Sequence, residues 1–206
     1  MAQKPKLTRK ERRRRRRHMA LSIAGYVVVA MGLSWFFESQ ATTTILFVRH
    51  ADVEVSAQGD DPALSVGGRG RAEELANFVQ DIDVVAGVDA IYASEFKRTQ
   101  QTADAIARRL ELEVSLANPY ETESFMSDVL REHKGEIVLV VTHADTIAPL
   151  IEELHGSKNV PEIGTNEYDN FYIVTIPWFG KVKTLRLHYG DRASDDTSLV
   201  THSAPL

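Results

Sequence analysis

The 206-residue sequence contains no cysteine. This excludes a disulfide scaffold and any thiolate metal site. It suits an oxidising compartment without establishing one. No internal repeat is present, which removes solenoid and propeller architectures. One stretch lacks charge: "MALSIAGYVVVAMGLSWFF", Met19 to Phe37, holds 19 residues without an acid or a base. The body lacks basic excess, since from Thr42 onward there are 14 basic and 27 acidic residues, a net of −13. Such a body does not grip nucleic acid, and any anion site in it must bring its own positive charge. The overall charge of −5 hides a basic tail, because residues 1–18 hold ten Lys and Arg against the single acid Glu11.

The uncharged stretch would span roughly 28 Å as a helix, close to the hydrocarbon thickness of a bilayer. Arg12 to Arg17 precede it, so the positive-inside rule puts the N-terminus in the cytoplasm and the remainder outside. Trp35, Phe36 and Phe37 fall where an interfacial aromatic belt sits. The expected layout is a basic tail (1–18), a membrane segment (19–37), a linker (38–42), a folded domain (43–190) and an acidic tail (191–206). The expected location is a bacterial inner membrane, crossed once, with the domain periplasmic. A signal peptide cleaved near Ala41 is the alternative, since Ser39-Gln40-Ala41 offers a small-x-small site. The apolar run exceeds the usual signal core. The arginine block also fits a nucleic-acid tail, but its place before an apolar span makes topology the simpler reading.

Beyond Thr42, strand and helix signals alternate. "TTTILFV" (42–48) and "EIVLVVT" (136–142) are continuous β-rich runs, apolar on both faces. "VDAIYAS" (88–94), "LEVSL" (112–116), "NFYIVTI" (170–176) and "KTLRLHY" (183–189) are further strands, the last two a pair joined through "PWFG". Helices are expected at 70–82, at 95–110 with Ser94 as cap, at 123–135 and at 145–156, after a long loop over 52–70. Two-sided apolar strands alternating with helices imply an α/β fold, a sheet covered on both faces. Ligands of such sheets sit at the carboxyl ends of the strands. Arg49 and His50 fall there after the first strand, Arg98 in the first turn of a following helix, and His143 after the second apolar strand. Each has a plain alternative: a solvated strand end, a surface arginine paired with Glu95, a capping histidine.

"FVRHAD", "YASEFKRTQQTADAIA" and "VLVVTHADTI" resemble, in order and spacing, the three core blocks of the histidine phosphatase superfamily, the phosphoglycerate mutase-like proteins. "DPALSVGGRGRAEELA" and "NEYDNFYIV" resemble segments between and after those blocks. The likeness covers about residues 43–190. It implies a three-layer α/β/α fold around a mostly parallel central sheet. It also implies that His50 is phosphorylated and that Arg49, Arg98 and His143 bind phosphate. That chemistry is sound in itself. A neutral imidazole is a competent nucleophile, and two guanidinium forks match phosphoryl oxygens, so no metal or other cofactor is needed. The family places a carboxylate some two dozen residues past the second-block arginine, which here selects Glu121, with Glu123 as alternate. Its acid-phosphatase branch has the proton donor directly after the second histidine. Asp145 falls one residue later, where helix capping accounts for it. Thr142 stands where many members carry glycine.

The expected activity is therefore phosphatase action on a phosphorylated small molecule or phosphoprotein. Mutases of the family enclose their substrate with a larger insertion, and only 45 positions separate Arg98 from His143. Two alternatives belong to other classes. The two His-x-Asp pairs, His50/Asp52 and His143/Asp145, would suit a metal-dependent hydrolase, although Arg49 would repel the cation. A catalytically silent module that binds phosphorylated ligands is the other.

Overall fold

The computed structural model describes residues 9–39, 42–54, 59, 61–82 and 87–190. The acidic tail expected at 191–206 lies outside these, as does most of the cleavage motif. The chain divides into two compact units, 1–41 and 42–206.

The first unit is one helix, α1 (Arg9–Ser39). It runs through the arginine block into the apolar stretch without a break. Within it, Arg13–Phe36 is long and apolar enough to cross a membrane, with mean hydropathy 1.8 over an 18-residue window that is not buried.

The second unit follows the expected α/β order: β1 (Thr43–Arg49), α2 (Val66–Asp81), β2 (Ala90–Ala93), α3 (Lys97–Leu110), β3 (Val114–Leu116), α4 (Thr122–Glu132), β4 (Ile137–Thr142), α5 (Ala144–Glu153), β5 (Asn170–Ile176) and β6 (Lys183–His188). The sheet order is β3-β2-β4-β1-β5-β6. The first four strands are mutually parallel. β5 runs antiparallel to β1, and β6 returns beside it as a hairpin.

Strand alternation sorts the core into two layers. Leu46, Val48, Leu139 and Val141 face one side, packed with Ala72, Leu75, Ala103 and Ile106 of α2 and α3. Ile45, Phe47, Val138 and Val140 face the other, with Met126, Val129, Ile147 and Leu150 of α4 and α5. Both faces are buried, which is why β1 and β4 carry no polar alternation. The two strands lie side by side, in register from Thr44↔Ile137 to Arg49↔Thr142. Their ends therefore meet.

α4 and α5 each end three residues before the expected glycine-marked limit, at Glu132 and Glu153, and two helix starts differ more instructively. α2 begins at Val66, inside the segment read as loop. Its glycine-rich first turn has poor intrinsic propensity, but the Ser65 hydroxyl caps it by accepting from Gly68 N at 2.9 Å. Gly68 cannot be replaced there, because a Cβ would lie 1.9 Å from the Asp52 carbonyl oxygen. α3 begins at Lys97, not Glu95, and its N-cap position is Phe96, which makes no side-chain capping bond. Ser94 has another task, described next.

Candidate functional site

β1 and β4 end in Arg49-His50 and Thr142-His143, and the adjacent register sets the two histidines side by side. Their ring centroids lie 5.5 Å apart with planes 64° to one another. Both are buried, at 7% and 4% exposure. Burial lowers both from the usual histidine value to about 4, assisted at His50 by Arg49, His143 and Arg98 and at His143 by Arg98 and Arg49. Both rings are therefore neutral near pH 7.

The protonated nitrogen of His50 is fixed by its neighbour. Nδ1 lies 2.8 Å from the Ala51 carbonyl oxygen, which can only accept, so Nδ1 carries the hydrogen. Nε2 is then the bare nitrogen, with its lone pair available. The loop that offers this carbonyl is held by α3, since Ala51 N donates to Thr102 Oγ1 at 3.0 Å.

Arg49 is buried and anchored from the far side of the site. One terminal nitrogen donates to the Gly164 and Glu167 carbonyl oxygens, each at 2.9 Å. The Tyr168 ring lies under the guanidinium, 4.1 Å from its carbon to the ring centroid. Its Nε is buried without a partner. A buried, unpaired donor on a cation is costly. Arg98 projects from the first turn of α3. It lies over the Phe96 ring at 4.3 Å and 3.8 Å from Asp61, rather than pairing with Glu95. The two guanidiniums supply the local positive charge that the acidic body needs, and the two neutral imidazoles add hydrogen-bonding groups without charge.

His143 occupies the N-cap position of α5. Ser94 Oγ lies 2.9 Å from its Nε2 and 2.7 Å from Thr99 Oγ1. Ser94 thus orients His143 rather than capping α3. Residue type and position before a helix pointed to a cap, and only the β2–β4 adjacency places this hydroxyl on the second histidine. Tyr168 and Tyr120 were also missed. Tyr168 lies in "NEYDNFYIV", a segment noted without assigning it a residue. Tyr120 lies in the same window as Glu121 and Glu123, and its ring stacks on His143 at 6.1 Å and 16°.

The two acids selected from that window do not join this cluster among the described contacts. Glu121 is at the N-cap position of α4, where its Oε1 accepts from Asn118 at 3.1 Å. Glu123 is exposed in the first turn of α4. Asp145 is closer in effect: it opposes the downward shift of His143, and its Oδ2 accepts a long 3.4 Å bond from the Tyr120 hydroxyl. It does not cap α5, a place taken by His143.

Nor do the His-x-Asp pairs form a metal cluster. Asp52 turns away to Arg71, at 2.6 Å. The group of metal-type donors found among the described residues is Glu167, Asp169 and His188, and there His188 Nδ1 already pairs with Asp169 at 2.9 Å. The Thr142 side chain is fully buried, with its hydroxyl against Thr146 Oγ1 at 2.7 Å.

A cavity of about 350 Å³ flanks the site, lined by Ala144, Asp145, Ala148 and residues 160–163. It opens between the start of α5 and the loop that anchors Arg49.

No curated protein matches the chain in sequence. The model of the histidine phosphatase superfamily (branch 1) matches residues 45–118. Among solved structures, the protein histidine phosphatase SixA in complex with tungstate is 20% identical. The match covers 70% of this chain and 96% of SixA, with a TM-score of 0.57. A mycobacterial glucosyl-3-phosphoglycerate phosphatase is 14% identical, with coverage of 72% and 98% and a TM-score of 0.54. The phosphoserine phosphatase of Entamoeba histolytica is 16% identical, with coverage of 73% and 98% and a TM-score of 0.54. At these identities the solved structures speak for the fold, which they extend past residue 118. Residues 45–118 thus match the histidine phosphatase superfamily (branch 1), and the domain as a whole shares the fold of these phosphatases.

Proposed function

We propose that this protein is a phosphatase that hydrolyses phosphate monoesters or phosphohistidine through a phosphohistidine on His50, without a metal. The observation that carries the reading is the Nδ1–H···O=C bond to Ala51, which leaves Nε2 as a neutral, aimed nucleophile between two arginines. Nε2 attacks phosphorus, the bond to the leaving atom breaks, and its electron pair stays on that atom. Arg49 through its unpaired Nε, Arg98, and His143 hold the three phosphoryl oxygens and spread the charge of the transition state. Water then attacks phosphorus, and the P–N electrons return to Nε2. A carboxylic acid protonates an oxygen leaving group and afterwards takes the proton from water. Glu121 is proposed for that task, with Glu123 as alternate. Asp145 competes with both, because its interaction with His143 puts it nearest the cluster.

SixA and the two other phosphatases act on phosphohistidine protein, a phosphorylated sugar acid and phosphoserine, as their names say. The flanking cavity has room for a leaving group of small-metabolite size. Asp145 and Glu162 on its wall disfavour one that carries further negative charge. For location, the proposal is one membrane crossing by 19–37, with the arginines cytoplasmic and the domain outside.

The test is incubation of the full chain with p-nitrophenyl phosphate in the presence of a chelator, with quenching in alkaline detergent. Turnover together with an acid-labile, base-stable phosphate on the protein is the expected result. Activity that disappears with the chelator would favour the metal-dependent hydrolase, and binding of a phosphate ester without any turnover would favour the silent module.

A further inference from the structure

The β5–β6 hairpin stands apart from the rest of the domain in composition. Residues 170–189 contain three cations, Lys181, Lys183 and Arg186, and none of the 27 acids found from Thr42 onward. Its tip, "PWFGK", exposes Trp178 at 57% and Phe179 at 86%. Their rings lie 6.3 Å apart, tilted by 46°. Two adjacent aromatic side chains held in water on a tight turn, which Gly180 closes at φ +114°, are unfavourable in a purely aqueous setting. Neither belongs to the buried or half-buried residues of the two core layers.

The topology says which edge of the sheet carries this tip. β5 is antiparallel to β1, and its last residue, Ile176, pairs with Thr43, the first residue of β1. The tip is therefore at the amino edge of the parallel strands. The chain leads back from that same edge to the apolar helix, for Thr43 follows Ser39 by four positions. His50 and His143 are at the opposite edge, a strand of seven residues away, or roughly 20 Å.

We propose that the hairpin tip is a second membrane contact: Trp178 and Phe179 enter the interface of the bilayer that α1 spans, and Lys181 and Lys183 meet its anionic headgroups. Aromatic rings with an amphipathic or apolar body favour that depth, and lysines beside them are attracted to anionic phospholipid headgroups in the leaflet they face. The inference rests on the anchored reading above. Its consequence is orientation. With the amino edge on the membrane, the phosphate site opens away from it, toward soluble substrates rather than lipid headgroups.

The sequence holds two tryptophans, Trp35 and Trp178, so each can be made the sole reporter. The full chain carrying Trp35→Phe is reconstituted in phosphatidylcholine/phosphatidylglycerol vesicles, with part of the phosphatidylcholine brominated near the ester end of its acyl chains. Strong quenching of Trp178 is expected, together with blue-shifted emission. The added changes Lys181→Glu and Lys183→Glu should largely abolish that quenching. Hydrolysis of a soluble aryl phosphate should be unchanged by both, since neither lysine is near the site. Unquenched Trp178 with the emission of a water-exposed indole overturns the proposal. The reciprocal Trp178→Phe chain reports on the anchor. An unquenched Trp35 there would overturn the anchored reading, while a quenched Trp178 would still support the hairpin contact.

Discussion

The ends of β1 and β4 carry almost the same six residues, "FVRHAD" and "VVTHAD", yet the fold gives them unequal work. At the β1 end, Arg49 is buried with an unpaired Nε, and His50 has one nitrogen fixed by Ala51 and the other bare. At the β4 end, the residue in register with Arg49 is Thr142, whose hydroxyl is spent on Thr146. His143 is oriented from outside its own strand, by Ser94. The aspartates diverge too. Asp52 ties the loop after β1 to α2 through Arg71, whereas Asp145 faces Tyr120. The lesson is that a repeated motif is not a repeated role. The neighbour within the strand and the partner across the site give the two histidines different surroundings, and the proposed roles of nucleophile and clamp rest on that difference.

The largest expected effect breaks the comparison outright. His50→Ala should reduce turnover of p-nitrophenyl phosphate by about four orders of magnitude or more and remove the acid-labile phosphate. His143→Ala should cost roughly 10²–10³-fold, the loss of one transition-state donor, and still allow His50 to be labelled. Equal losses and equal labelling would dissolve the distinction between nucleophile and clamp.

The next measurement asks which end supplies the proton. Loss of the general acid should slow hydrolysis of an alkyl phosphate by about 10²–10⁴-fold, with much less effect on p-nitrophenyl phosphate, whose leaving group needs little protonation. Glu121→Gln, Glu123→Gln and Asp145→Asn, compared on both substrates, separate the three. The variant that shows this split is the acid.

Acidity sharpens the comparison further. Both histidines are lowered to about 4 in the folded protein, mainly by burial. The unfolded chain therefore binds more protons between about pH 6.5 and 4, and the linkage has one sign: stability is retained above pH 6.5 and falls as pH drops through that window. The midpoint of urea unfolding of the wild type should decline from pH 7 to pH 4.5. A single change, His50→Gln or His143→Gln, should each remove part of that slope. A slope that neither change alters would place the titrating groups elsewhere.

The smallest effects concern the two aspartates. Asp52→Asn weakens a partly exposed ion pair with Arg71, so a loss of up to about 1 kcal/mol is expected, with little change in turnover. Thermal unfolding of Asp52→Asn beside Asp145→Asn measures it, and a larger loss in the second would reverse the assignment of the structural aspartate.

Much of this was readable before the fold was known. Two runs apolar on both faces meant interior strands, because only a strand covered on each side has no use for alternation. Arg49, His50, Arg98 and His143 stood at strand ends or in a helix's first turn, and all four converge. What was misread follows one pattern. Ser94 looked like a cap, Asp145 like another and Gly67-Gly68 like loop, because local propensity is all that a short stretch expresses. In the fold, Ser94 serves a residue 49 positions away, and Gly68 is fixed by Asp52 in another loop.

The secondary elements, the apolar N-terminal helix and the candidate residues Arg49, His50, Arg98 and His143 were legible in the amino-acid order, since periodicity and side-chain chemistry are local properties of the chain. Only the tertiary structure decided that β4 lies beside β1, that Ala51 sets the hydrogen on His50, that Ser94 orients His143 and that the aromatic hairpin tip shares an edge with the start of β1. These depend on which strands pair, and pairing is set by the burial of the whole sheet at once.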